Sequence, residues 1–255
     1  MSYLFGRDTL SILYFRHKSY ICRQIEIIMN IGIIVAMPSE LACIKDLLTD
    51  CREESDGEAV YYIGKRGNNT LILAQSGIGK VCSAVRTMNM IHRYGPDYIL
   101  NTGVAGGIDT STQVFDIVAG KEIVYHDVWC GDGNMPGQIQ GFPARFHSDP
   151  KLLEKALSLK TSIRIYGGLI CSGDQFITNR EELDKIKASF PDGLAVDMES
   201  ASIAHVCYMN KIPFLSFRII SDTPGIEDHI NQYNRFWEEA PQKSFEIIKQ
   251  LTDIL

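Results

Sequence analysis

Apolar residues fall along this chain in two alternating rhythms: short β-branched runs, then segments whose apolar positions recur three and four apart. Ile31–Ala36 is a continuous apolar run and predicts a buried strand. Pro38-Ser39-Glu40 then opens a helix expected to reach about Leu48, with Leu41, Ile44, Leu47 and Leu48 at helical spacing. Tyr61–Lys65 and Thr70–Gln75 read as strands joined by Gly67-Asn68-Asn69, a hairpin signal. Helices are expected over Gly79–His92, Glu181–Ser189, Met198–Met209 and Gln242–Ile254. Tyr98–Leu100, Ile117–Tyr125, Arg164–Ile170, Leu194–Val196 and Phe214–Ile220 complete the strands. There is no repeat, low-complexity tract or linker between 30 and 255. The economical architecture is one α/β domain around a mixed or mostly parallel sheet.

The first 28 residues break this rhythm, mixing aromatics with Arg, His and Lys. They lack a continuous apolar core and a small-residue cleavage site, so they make a poor signal peptide. Met29 stands directly before the first clean strand. Two readings follow: residues 1–28 are an additional segment, loose or arising from an upstream start, or they form a short helix packed on the body. The expected domain is 29–255.

Composition narrows the partners. The 255 residues are 45% hydrophobic and 22% charged, ordinary for a globular domain, and carry a net charge of −6 with no basic block. That argues against nucleic acid or an anionic membrane surface, and no apolar stretch approaches the ~20 residues of a membrane helix. The seven cysteines are scattered, odd in number and never spaced C-x-x-C. No disulfide framework or zinc site is expected, and a reducing cytoplasm fits best.

The chemistry concentrates in motifs that follow the apolar runs: AMPSE at 36–40, SGIGK at 76–80, NTGVAGG at 101–107, VDMES at 196–200 and RIISD at 218–222. Strand ends with Gly-rich turns and lone acids are where α/β folds place ligands. Glu40 is a candidate general base, or a first-turn acid that favours the helix dipole. The two Gly-rich segments are expected as turns that admit a ligand to the backbone; neither has P-loop spacing. Glu199 can accept both hydroxyls of a ribose while Met198 offers an apolar surface, although acids are common at helix starts. Asp222, partly desolvated at a strand end, suits a general acid, or caps the following turn. Arg218 is a partner for a site acid or an edge side chain. His126-Asp127 is weighed as a catalytic pair and set aside as a strand-end His with a turn Asp; His205 reads as a packed core histidine.

In this order NIGIIVAMPSE, QSGIGKV, NTGVAGG, VYHDV, SGDQFI, VDMESASIAHVC and RIISD resemble the 5′-methylthioadenosine/S-adenosylhomocysteine nucleosidases of the nucleoside phosphorylase superfamily, over essentially all of 29–255. The resemblance implies a three-layer α/β/α fold with a mixed central sheet, a homodimer, and hydrolysis of the bond between adenine and a 5′-thio-substituted ribose without a cofactor or metal. It implies that Asp222 protonates N7 of adenine, positioned by Ser221, and that Glu40 activates water, assisted by Arg218. Glu199 would hold the ribose hydroxyls, with Met198 and Met37 near the sugar. Phe176 would stack on adenine and the Ile177 backbone would read its edge. Ile78, Val104 and Gly106 would line the site, and Tyr233 would cover the 5′ group.

Competing functions are a phosphorolytic nucleoside phosphorylase, a futalosine-type nucleosidase and a non-catalytic nucleoside binder. Phosphorolysis needs arginines to clamp phosphate, and the Gly-rich segment has Asn101-Thr102-Gly103 instead. A pure binder has no use for an acid and a base on opposite sides of one bond. Two features depart from relatives: Val104 replaces a Ser common there, and Trp129–Gln140 differs where relatives supply a cover to the neighbouring subunit's site.

Overall fold

The computed structural model describes residues 28–224, 228–239 and 241–255, so the expectations for 1–27 lie outside the described residues. The sheet is built from β1 (Asn30–Val35), β2 (Thr49–Asp56), β3 (Ala59–Arg66), β4 (Asn69–Gln75), β5 (Tyr98–Gly107), β6 (Ile117–Tyr125), the short β7 (Phe146–His147), β8 (Ile165–Ser172), β9 (Gly193–Asp197) and β10 (Phe214–Asp222). The helices are α1 (Pro38–Lys45), α2 (Lys80–Tyr94), α3 (Pro150–Leu157), α4 (Arg180–Ser189), α5 (Ser200–Asn210), α6 (His229–Glu239) and α7 (Pro241–Ile254).

The sheet is mixed, in the order β10-β6-β8-β9-β5-β1-β4-β3-β2, and β10 also pairs with β5, so one half of the sheet closes on itself. That closure leaves all nine residues of β10 buried. Both faces are covered. Ile34, Ile72 and Ile99 pack under Met90 and Ile91 of α2 and Ile203 and Val206 of α5. Ile33, Leu73 and Leu215 pack under Ile44 of α1, Leu152 of α3, Phe236 of α6 and Phe245 and Ile248 of α7. Alternate residues of β1 therefore enter different cores, which is why its sequence is apolar without interruption. The three-layer α/β/α expectation holds.

Three local expectations need correction. Helix α1 ends at Lys45, so Leu47 and Leu48 follow it. Thr49–Asp56 is an unexpected strand; it is exposed at the sheet edge and, among the described residues, pairs only with β3, so no apolar alternation is imposed on it there. Asn101–Gly107 is no turn: it continues β5, parallel to β10 from Ile99 to Gly106.

This last point fixes the site. Strands β5 and β9 run towards each other and overlap only at Gly106↔Val196 and Gly107↔Ala195. The C-terminal ends of strands from both halves of the sheet thus meet in one place. A register shift between Ile220 and Asp222 makes a bulge there in β10; it lets the adjacent Ser221 and Asp222 both face that junction.

Candidate active site

A cavity of about 370 Å³ opens at this junction. The turn after β1 brings Met37 and Glu40, the end of β5 brings Val104 and Gly106, the end of β10 brings Ser221 and Asp222, and the β9–α5 turn brings Met198 and Glu199. Ile78, the loop residues Phe176 and Ile177, and Tyr233 of α6 complete the wall. Of the residues that the resemblance places in the site, only Arg218 does not border the cavity; it lies beneath it, fully buried.

Glu40 is 1% exposed. Its Oε2 accepts the N–H groups of Ala36 at 2.8 Å and Met37 at 2.9 Å, and its Oε1 accepts Val104 N–H at 2.9 Å. Burial raises its pKa, against the opposing pull of Arg218 and these three N–H groups. The carboxylate is thus aimed rigidly, and it is a better proton acceptor than an exposed Glu. Gly103 is what allows the arrangement. It has φ +149, and a Cβ there would collide with the Glu40 carboxylate and meet Arg218 Nη1 at 2.7 Å.

Arg218 pairs with Asp197 at 2.7 Å and reaches Glu199 Oε2 at 3.4 Å. Its Nη2 donates to Asn101 Oδ1 at 2.7 Å and its Nε to Ser200 Oγ at 3.2 Å. Asn101 Oδ1 also accepts from Ser200 and Ser216, while its amide donates to the Ile34 carbonyl at 3.0 Å. This network satisfies a guanidinium in the middle of β10, which would otherwise be costly to bury.

Glu199 accepts Gly79 N–H at 3.0 Å. Burial pushes its pKa up to about 7, opposed by Arg218 and reinforced by the negative charge of Asp197. Asp222, 2% exposed, accepts Ser221 Oγ–H at 2.7 Å. The side wall is apolar and aromatic. Phe176 is 52% exposed at the mouth, its ring 5.9 Å from that of Tyr233, and Tyr233 in turn reaches Met37 Sδ at 3.7 Å. Ile177 is buried.

Asp197, Gln175 and Pro224 also line the cavity and were not singled out from sequence. Asp197 stands beside Glu199 in VDMES, and Gln175 inside SGDQFI, so motif membership was the available signal. His126 and Asp127 do not border the cavity. His205 sits among Phe142, Phe146 and Tyr125, as a packed histidine does. Among the described residues no group of three or more His, Cys, Asp or Glu is placed to hold a metal. No helix among them is long and apolar enough to cross a membrane.

Carboxyl groups on three strand ends facing an aromatic slot suit a polar ring-plus-base ligand. Comparison with known proteins bears on which one. The phosphorylase superfamily model matches residues 30–253. The 5′-methylthioadenosine/S-adenosylhomocysteine nucleosidase of Actinobacillus succinogenes is 41% identical over 223 residues, covering 86% of this chain and 96% of the relative. The Colwellia psychrerythraea nucleosidase, solved in complex with adenine, superposes with a TM-score of 0.83 at 36% identity, covering 88% of this chain and 95% of that one. The Neisseria meningitidis nucleosidase, solved in complex with methylthio-immucillin-A, gives 0.85 at 33% identity, covering 89% and 100%. Likeness of this extent, spanning every strand that feeds the cavity, makes the chain a member of the 5′-methylthioadenosine/S-adenosylhomocysteine nucleosidase family within the phosphorylase superfamily.

Proposed function

We propose that this protein hydrolyses the N-glycosidic bond of 5′-methylthioadenosine and S-adenosylhomocysteine, releasing adenine and the 5-thioribose product. The observation that carries the choice of water over phosphate is the cavity wall. Its charged side chains are the acids Glu40, Asp197, Glu199 and Asp222, with no Lys or Arg among the described lining residues. Phosphate would be repelled there; water would not.

The chemistry follows from the placement. Adenine leaves poorly unless its ring is protonated, so Asp222 in its acid form gives a proton to N7. The C1′–N9 bond breaks with its electron pair going to the purine, and the sugar becomes oxocarbenium-like. Glu40 takes a proton from water as the water oxygen bonds C1′. Arg218 acts on this step through its field and through the network that fixes Glu199 and Asp197. Glu199 accepts the ribose hydroxyls, Met37 and Met198 pack on the sugar, and Phe176 stacks on adenine with the Ile177 backbone at its edge. Ile78, Val104 and Gly106 line the remaining wall, and Tyr233 covers the 5′ substituent. No cofactor is needed.

A homodimer acting in the cytoplasm is part of the same proposal. Exposed Val81, Val85, Trp129 and Met135 support a covered face. The domain carrying the activity is taken as 29–255.

Adenine release from both nucleosides, in phosphate-free buffer and with added phosphate, tests the proposal. Equal release in both buffers with free 5-thioribose product is expected. Release only with phosphate would mean a phosphorylase, and no release from either substrate would point to a futalosine-type ligand or a binder.

A further inference from the structure

The loop carrying Phe176 runs from Gly173 to Asn179, between β8 and α4, without regular secondary structure. Asp174 anchors it. Asp174 N–H donates to Asp127 Oδ2 at 2.8 Å, and Asp174 Oδ1 accepts Lys80 N–H at 2.7 Å. Lys80 Nζ closes the ring, 2.7 Å from Asp127 Oδ2 and 3.8 Å from Asp174 Oδ2. Helix α2 has Gly79 as its N-cap, which has no side chain to cap with; Asp174 supplies the cap from 94 positions away.

Two glycines make room for this closure. A Cβ on Gly79, at φ +91, would meet Asp174 Oδ1 at 2.8 Å. One on Gly173 would meet His126 Nε2 at 2.5 Å and Asp127 Cγ at 2.8 Å. These contacts absorb the motif residues that the chemistry above leaves unused: the Lys of SGIGK, the Asp of VYHDV and the Asp of SGDQFI. The clasp ends one residue from the sugar side of the cavity, because Gly79 N–H donates to Glu199 Oε1 at 3.0 Å. Lys80, Asp127 and Asp174 themselves do not line the cavity.

We infer that Lys80, Asp127 and Asp174 are positioning residues that hold the purine-facing loop at a fixed distance from the ribose-facing Glu199. The inference rests on the nucleosidase reading for what the loop and Glu199 contact. Ordering a loop costs conformational entropy, and a clasp closed in the free protein moves that cost from binding to folding. Contacts to the purine face and the ribose hydroxyls exist in ground and transition states alike. Opening the clasp should therefore raise KM and leave kcat nearly alone.

Three variants test this in the full chain: Lys80→Met, which keeps the apolar stem, Asp174→Ala, and the two together. Each single change is expected to raise KM and the dissociation constant for adenine about tenfold, with kcat moving less than about twofold. The double variant should be no worse than the worse single, because either change opens the same ring. Lys80→Arg should recover most of the binding. Amide exchange in unliganded protein should quicken at 173–179 and at 77–80 in Asp174→Ala. An unchanged KM, an equal fall in kcat and kcat/KM, or independent additive losses would overturn the inference. A wild-type protein that binds no adenine would defeat the nucleosidase reading instead. The exchange measurement would then decide the clasp alone, and unaltered protection in Asp174→Ala would remove it.

Discussion

Arg218 and Asp197 form an ion pair at 2.7 Å with both side chains 1% exposed, and this pair anchors the guanidinium below the cavity. Arg218 and Glu40 both approach the space that a side chain on Gly103 would fill. Around the one guanidinium stand three buried acids, Glu40, Asp197 and Glu199. If all three are ionised the cluster carries excess negative charge, which is why burial can hold Glu40 and Glu199 high in pKa despite a neighbouring Arg.

Asp197→Asn is expected to destabilise the fold by about 3–5 kcal/mol, because it breaks a buried pair and leaves Arg218 undercompensated. It should also lower the pKa of Glu199, whose carboxylate it currently faces with like charge. Denaturant unfolding checks the first effect; a shift of the acid limb of kcat/KM checks the second. A change below about 1 kcal/mol would mean that the Asn101 and Ser200 contacts suffice for Arg218.

Glu199 gives a pH signature with a defined sign. Its pKa rises from 4.5 to about 7 on folding, so the native state retains a proton that the unfolded chain loses in that window. Stability from this group is therefore fully present below about pH 4.5 and is lost as pH rises through about 7; Glu40, raised in the same direction, adds to the trend. Glu199→Gln should flatten that slope and raise the melting temperature at pH 8 more than at pH 5, while losing ribose binding. In the wild type, kcat/KM should fall on the acid side with a midpoint at about 7, and the variant should keep only the acid limb that Glu40 sets.

The acid and the base should separate by their readouts. Asp222→Asn keeps the shape and the Ser221 neighbour but removes the transferable proton, so turnover should fall about 10²–10⁴-fold with substrate binding retained. Glu40→Gln should lose hydrolysis similarly. It places an amide where three N–H groups now find a carboxylate, so a drop in stability of about 1–3 kcal/mol should accompany it. Near wild-type rates in either variant would remove that residue from its role.

Much of this site was legible in sequence because strand ends announce themselves. The apolar runs of β1 and β10 stop at AMPSE and RIISD, and the acids follow directly. What stayed hidden depended on pairing. NTGVAGG has the composition of a turn, since Gly is depleted in strands; only its pairing with β10, and with β9 at its end, makes it a strand. The edge strand β2 is polar on both faces and gives no period to detect. The Asp197–Arg218 pair and the Asp127–Lys80–Asp174 ring join residues far apart in sequence, and one chain carries no signal of such contacts.

Val104 carries the last sequence departure into the site. Its N–H holds Glu40 at 2.9 Å, and its side chain faces the cavity without a polar group. Val104→Ser keeps the backbone bond and adds a hydroxyl beside the base, able to orient water. A rise of kcat by a few-fold is expected, about 1 kcal/mol in the barrier, with KM little changed. The cost is lost apolar packing, since Val104 rests against the core that contains Leu215 and Phe236; a melting-temperature decrease of a few degrees should accompany the gain. Gly103→Ala is the contrasting neighbour. Its Cβ would occupy the space shared by Glu40 and Arg218, and its φ of +149 is unfavourable for any side chain. That variant should lose both stability and turnover, with kcat falling at least tenfold as Glu40 is displaced. If Val104→Ser lowers kcat instead, the apolar contact rather than a missing hydroxyl sets the rate at this position.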